Sequence, residues 1–138
     1  MINNIWAVMC TQAITDRDSG HTSLINCVNT VGIAEIPFQA PPFTISSLWM
    51  KDEEIEVEIF SILLEFTSPS KGTQQILKIE NISVKNIFHR LNFNIGGMPI
   101  KEFGMHQIVL KTKKGKGWVI ACKIPLLVHK IDINHPQK

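Results

Sequence analysis

Five histidines, His21, His89, His106, His129 and His135, and three cysteines, Cys10, Cys27 and Cys122, are the residues of this chain best suited to chemistry. Imidazoles and thiolates can bind zinc or work as base and nucleophile. Their spacing matches no compact zinc pattern of paired histidines beside paired cysteines. His129 and His135 lie close in sequence but flank a polar tail. Histidines from distant strands could still converge, so a small metal-dependent or hydrolytic enzyme is the alternative functional reading. All three cysteines sit inside apolar strand patterns, where burial raises a thiol pKa and suppresses reactivity. No Gly-x-Ser-x-Gly elbow and no glycine-rich phosphate loop is present. Lys114-Gly115-Lys116-Gly117 reads as a hairpin turn, because no helix follows whose N-terminus could hold phosphate.

The acidic groups point to structure more than to metal. Asp52-Glu53-Glu54, with Glu56 and Glu58 behind them, offers oxygen ligands of the kind calcium needs. An alternating Glu-x-Glu stretch is also what a solvated sheet face looks like. Asp16, Asp18 and Ser19 form a second oxygen-rich group, but the intervening Arg17 opposes a cation, and turn chemistry accounts for them. No metal and no cofactor is expected.

The best candidate binding surface is Lys111, Lys113, Lys114 and Lys116 with Trp118 beside them. Lysines can meet phosphates while an indole stacks on a base. One lysine-tipped hairpin also keeps a turn soluble and blunts a sheet edge. Weak nucleic-acid binding therefore stands third among the functional readings.

The elements that must position these residues are strands. The 138 residues, 44% hydrophobic and 19% charged, suit one globular domain spanning 1–138. Its ordered core is expected over about 4–131, with a frayed polar tail at 132–138. A net charge of +2 and a pI near 8.5 imply neither nucleic acid nor membrane by themselves. No apolar run is long enough to span a bilayer, and the segment Met1–Trp6 lacks the basic start of a signal peptide. An odd number of cysteines fits a reducing compartment, so a cytoplasmic location is expected.

An apolar run, Ile5 to Ile14, meets the turn Asp16–His21, and a second run leads to the bend Ile36-Pro37 and Pro41-Pro42-Phe43. Cys10 and Cys27 are equidistant from the centre of that hairpin. They can face each other across two strands, either bonded or as buried free thiols. Farther on, Ile55, Val57 and Ile59 alternate with Glu56 and Glu58, while Phe60 to Leu64 is apolar in both phases. That pattern predicts a strand covered on both sides or a bulge near Ser61. A phase slip at Glu80-Asn81 predicts another break. One helical turn is expected around Lys85 to His89.

Leu91, Phe93 and Ile95 alternate with polar neighbours, giving a short strand before Gly96-Gly97. His106 to Thr112 pairs with a last strand that places Trp118, Ile120, Cys122, Ile124, Leu126 and Val128 on one face. Pro125 puts that strand at an edge or a bulge. The breakers Pro41-Pro42, Ser68–Gly72 and Gly96–Pro99 divide the chain into seven or eight strands, the spacing of a sandwich.

The strand ending near Cys10, the polar turn closing on Gly20, Leu24-Ile25-Asn26, Ile36-Pro37 and Pro41-Pro42-Phe43 resemble a family of small bacterial proteins known only as a domain of unknown function. Glu102-Phe103-Gly104, the charged glycine turn and Ile124-Pro125-Leu126-Leu127-Val128 are similar to that family's last hairpin. The resemblance covers most of 5–128. Thr11-Gln12 stands where the family has an Asp soon after the cysteine, and Met105-His106 where it has an aromatic residue after the glycine. The resemblance implies an immunoglobulin-like antiparallel β-sandwich and no characterised activity.

The leading expectation is a non-catalytic protein-interaction or assembly module. It rests on the two-sided apolar patterning of Ile5–Met9 and Phe60–Leu64. A two-layer sandwich buries one face of each sheet, so the second phase needs loops, a partner or a second copy to cover it. The expected partner is a protein or another copy of the chain; no membrane is expected, and a small-molecule ligand is unspecified.

Overall fold

A computed structural model describes residues 1–70 and 72–132; Lys71, His135 and nearly all of the expected tail lie outside the described residues. The fold is all-β. It has eleven strands, more than the seven or eight expected, and no helix among the described residues. Lys85 to Ile87 is a bend rather than a helical turn, and His89 already belongs to a strand. The excess arises from short pieces that carry too few residues to register as alternation: β3 (Thr30–Ile33), β4 (Phe38–Ala40) and β9 (Met98–Ile100).

Two large sheets share one core. The first runs β2 (Thr22–Cys27), β1 (Asn3–Thr15), β5 (Phe43–Met50), β8 (Phe88–Ile95). The second runs β3, β11 (Gly117–Lys130), β10 (Gly104–Lys114), β6 (Glu58–Thr67), β7 (Thr73–Val84). The pairs are antiparallel except β3 with β11, which is parallel; β4 and β9 form a small separate pair.

Alternation decides which side chains meet in the middle. Ile45 and Trp49 from the first sheet join Phe60, Ile62, Leu64, Phe66, Ile108, Leu110, Leu126 and Val128 from the second. Trp49 packs its ring 5.1 Å from that of Phe60. Its indole N–H donates to Ser47 Oγ at 2.9 Å, so the one polar atom of this buried ring is satisfied.

Bulges explain where the strand phases change. Between Phe60 and Ile62 the pairing with β7 slips, so that Glu80 and Asn81 together oppose Ser61. Asn81 adopts a φ of 59° and its N–H donates to Ser61 Oγ at 3.1 Å. A second bulge breaks the expected single face of the last strand. Leu110 opposes Cys122 but Lys111 opposes Ile120, leaving Ala121 as an extra residue. Ile124, Leu126 and Val128 therefore point inward, whereas Ile120 is 53% exposed on the opposite face with Trp118.

The phase at the start of β6 is also reversed from expectation. Ile55 and Val57 precede the strand and are exposed, and Ile59 points outward at 63% exposure. Phe60, one residue later, opens the inward series.

Candidate interaction surface

The opening hairpin is built by its turn. Asp16 Oδ1 accepts from the backbone N–H groups of Asp18 and Ser19 at 2.8 and 3.0 Å, and Gly20 supplies a φ of 73°. Those donors, Ser19 first and then Asp18, hold the Asp16 carboxyl below its ordinary value. The carboxylate is thus committed to its own turn.

Beyond Cys10 and Cys27 the hairpin leaves the plane of its sheet. Five residues of extended chain carry the tip about 17 Å from Cys10. Continued flat, the tip would move past the Ile95 end of β8 and away from Arg90. Instead Arg90 Nη1 donates to Thr22 Oγ1 at 2.7 Å, and to the Gly20 carbonyl at 3.4 Å. The tip is folded back across the outer side of the first sheet. Outward-facing Thr44 and Ser46 of β5 lie buried there and donate to Asn94 and Asn92 at 2.9 and 2.6 Å.

The lysine hairpin divides into two parts. Lys111 Nζ is ion-paired to Glu65 at 2.5 Å, and Trp118 lies under the Lys78 ammonium, which stands 5.7 Å from the ring centroid. These groups share the outer face of the second sheet with Leu63, which is buried. Lys113, Lys114 and Lys116 cluster at the tip without an ion pair among the described residues. Lys111 is thus neutralised by Glu65, whereas Lys113, directly opposite Trp118 across the β10–β11 pair, has no such carboxylate partner among the described residues.

The four described histidines lie on different elements. His21 lies in the first turn, His89 in β8, His129 near the end of β11, and His106 is fully buried in β10. His106 stacks on Phe66 with centroids 5.1 Å apart, and its Nδ1 is 3.0 Å from the Gly104 carbonyl. Burial pushes the His89 imidazole below its ordinary value. Among the described residues no three His, Cys, Asp or Glu side chains stand close enough to share a metal ion. Asp52, Glu53 and Glu54 line an open hollow of about 370 Å³ with Met50 and Lys51, and no histidine is there.

A surface missed by strand patterning forms around that hollow. Met50 and Phe88 are opposite residues of β5 and β8, and both are exposed. Lys51, buried, ties neighbouring segments to them. Its N–H donates to the Ile87 carbonyl at 2.7 Å, and its ammonium donates to the carbonyls of Asp52 (2.8 Å) and Ile55. Met50 and Phe88 form an exposed apolar rim, and these bonds hold the backbones of Ile55 and Ile87, also exposed, to Lys51 beside it. The available signal was Ile87-Phe88, an apolar pair in a polar bend that no core-facing alternation explains.

β8 is also an open edge, with β5 its one neighbour among the described strands. In the second sheet the edge strand β7 is interrupted by two bulges, and β11 is covered by β3 at Leu127–Lys130 and carries Pro125 just before that stretch. β8 carries no proline, no lysine and no bulge.

No protein-family model matches the chain, and no curated protein matches it. Among the described residues no helix is long and apolar enough to cross a membrane.

Proposed function

We propose that this chain is a non-catalytic assembly module on an immunoglobulin-like sandwich frame, and that it self-associates through β8 and the adjoining Met50–Phe88 rim. The frame reading is supported by strand order. The series β1-β5-β8 and β11-β10-β6-β7 follow the A-B-E and G-F-C-C′ orders of immunoglobulin domains, with the β1–β2 hairpin as an addition.

The observation that carries the functional reading is the unprotected edge of β8 ending in exposed Phe88. Open strand edges present unpaired N–H and C=O groups, and chains that stay monomeric blunt them. Two β8 strands related by a two-fold axis would pair antiparallel and join two four-stranded sheets into one, an interface made of the same patch on both copies. The apolar rim would then be covered at the same contact. Arg90, in the same strand, already uses its guanidinium within the chain.

Light scattering after size exclusion, across a concentration series, tests this. The wild-type chain gives a mass above one chain at high concentration, and the double variant Met50→Lys, Phe88→Lys gives one chain's mass. Both positions are exposed, so the variant keeps its core. A strict wild-type monomer at every concentration overturns the reading.

A further inference from the structure

We propose that Cys10 and Cys27 form a reversible oxidation site, in which a low-molecular-weight disulfide such as oxidised glutathione converts the pair to a cross-strand disulfide. The two residues are directly opposite across β1 and β2. The Val28 N–H donates to the Met9 carbonyl at 2.8 Å, which makes Met9 and Val28 a hydrogen-bonded pair of the antiparallel ladder. One step along, Cys10 and Cys27 are a non-hydrogen-bonded pair. Cα atoms of such pairs stand about 4.5 Å apart with their side chains closest, inside the range a disulfide spans. Both cysteines are reduced in this structure.

Their environments divide the two steps of thiol–disulfide exchange. Cys27 is exposed and open to attack on a soluble disulfide, whereas Cys10 is fully buried. The Cys27 thiolate attacks one sulfur of the glutathione disulfide, forming a mixed disulfide and releasing one glutathione thiolate. Cys10 then gives its proton to water, and its thiolate attacks the Cys27 sulfur and expels the second glutathione thiolate. Two protein thiols are oxidised, one glutathione disulfide is reduced to two thiols, and the two protein protons end on glutathione. Burial, and then the neighbouring Cys27, raise the Cys10 thiol pKa, which protects the reduced pair from indiscriminate oxidation. Cys122 packs against the backbone of Ala7, about 10 Å along β1 from Cys10, and takes no part.

The bond would pin the point where the hairpin leaves its sheet. The experiment treats the full-length chain with oxidised glutathione under native conditions, then blocks free thiols and maps peptides by mass spectrometry. The expected product has lost two hydrogens, links the Cys10 and Cys27 peptides, leaves Cys122 as the only blocked thiol, and melts at a higher temperature than the reduced chain. Cys10→Ser, or Cys10→Ala should the serine variant not fold, traps one glutathione on Cys27, and Cys27→Ser yields no link. A mixed disulfide that persists on wild-type Cys27, a link through Cys122, or no reaction at all overturns the proposal.

Discussion

Arg90 Nη1 and Thr22 Oγ1 lie 2.7 Å apart, although β8 and β2 stand at opposite edges of a four-stranded sheet. That bond holds the opening hairpin against the outside of its own sheet. Arg90→Ala removes it together with the contact to the Gly20 carbonyl. A partly buried charge-assisted hydrogen bond of this kind contributes about 1 kcal/mol. Amide exchange at residues 16–22 should accelerate while exchange in β5 and β6 stays slow. Unchanged exchange at the tip would show that the hairpin is held by something else.

Ser47 satisfies the indole of Trp49 and donates its own hydroxyl to the Leu91 carbonyl at 2.9 Å. Ser47→Ala leaves a buried indole N–H and a carbonyl without that partner. Urea unfolding should register a loss of about 2 kcal/mol, in the range for orphaned buried groups. A loss within experimental error would mean that the core rearranges to supply another acceptor.

Gly97 has a φ of 128°, and a Cβ there would come 2.9 Å from the Ala40 carbonyl oxygen. The obstacle is backbone of β4, which cannot swing aside like a side chain. Gly97→Ala should cost about 2 kcal/mol or more, through both strain and contact. Gly96→Ala, next to it, meets nothing within 4 Å and serves as the control. Equal melting temperatures for the two variants would contradict the geometry.

His89 titrates below its ordinary value of 6.5 because burial disfavours the imidazolium. The unfolded chain therefore binds more protons than the folded one between the folded value and 6.5. The contribution to stability is complete above 6.5 and declines as pH falls toward the folded value. Replacing the side chain by His89→Gln should flatten the fall in melting temperature between about pH 7.5 and 5.5. A variant with the wild-type slope would place the pH dependence on other groups.

Much of the framework could be read along the chain because it is local. The hairpin turn needs Asp16, Ser19 and Gly20 in that order, and an extended chain on either side then brings Cys10 opposite Cys27. The bulge at Glu80-Asn81, opposite Ser61, was visible as a slip in apolar phase, since one extra residue exchanges the two faces of a strand, whereas the one at Ile76 was not. The bulge at Ala121 was not visible. Trp118 and Ile120 continue the alternation of Cys122 and Ile124 in the sequence, and only pairing with Lys111 and Lys113 turns them to the other face.

The two-sided apolar patterning has a different physical origin from the one that alternation alone suggested. Leu63, in the second phase of β6, is buried on a face shared with Lys111 and Trp118, and the first sheet's outer side carries the folded-back hairpin tip. Ile5, Ile59 and Ile120 remain exposed on the strands, and a further exposed apolar group, Met50, Ile55, Ile87 and Phe88, lies where no alternation pointed. Its parts come from three segments joined through Lys51, so no window of sequence contains it.

By itself, then, the sequence determined an all-β chain, its turns, and the pairing of its first hairpin, because these follow from side-chain alternation and from backbone preferences within a few residues. The tertiary structure decided which face of each strand is covered, which lysines are neutralised, and which edge is left open. Those outcomes depend on register between distant strands, where one extra residue or one long side chain such as Arg90 changes what meets what.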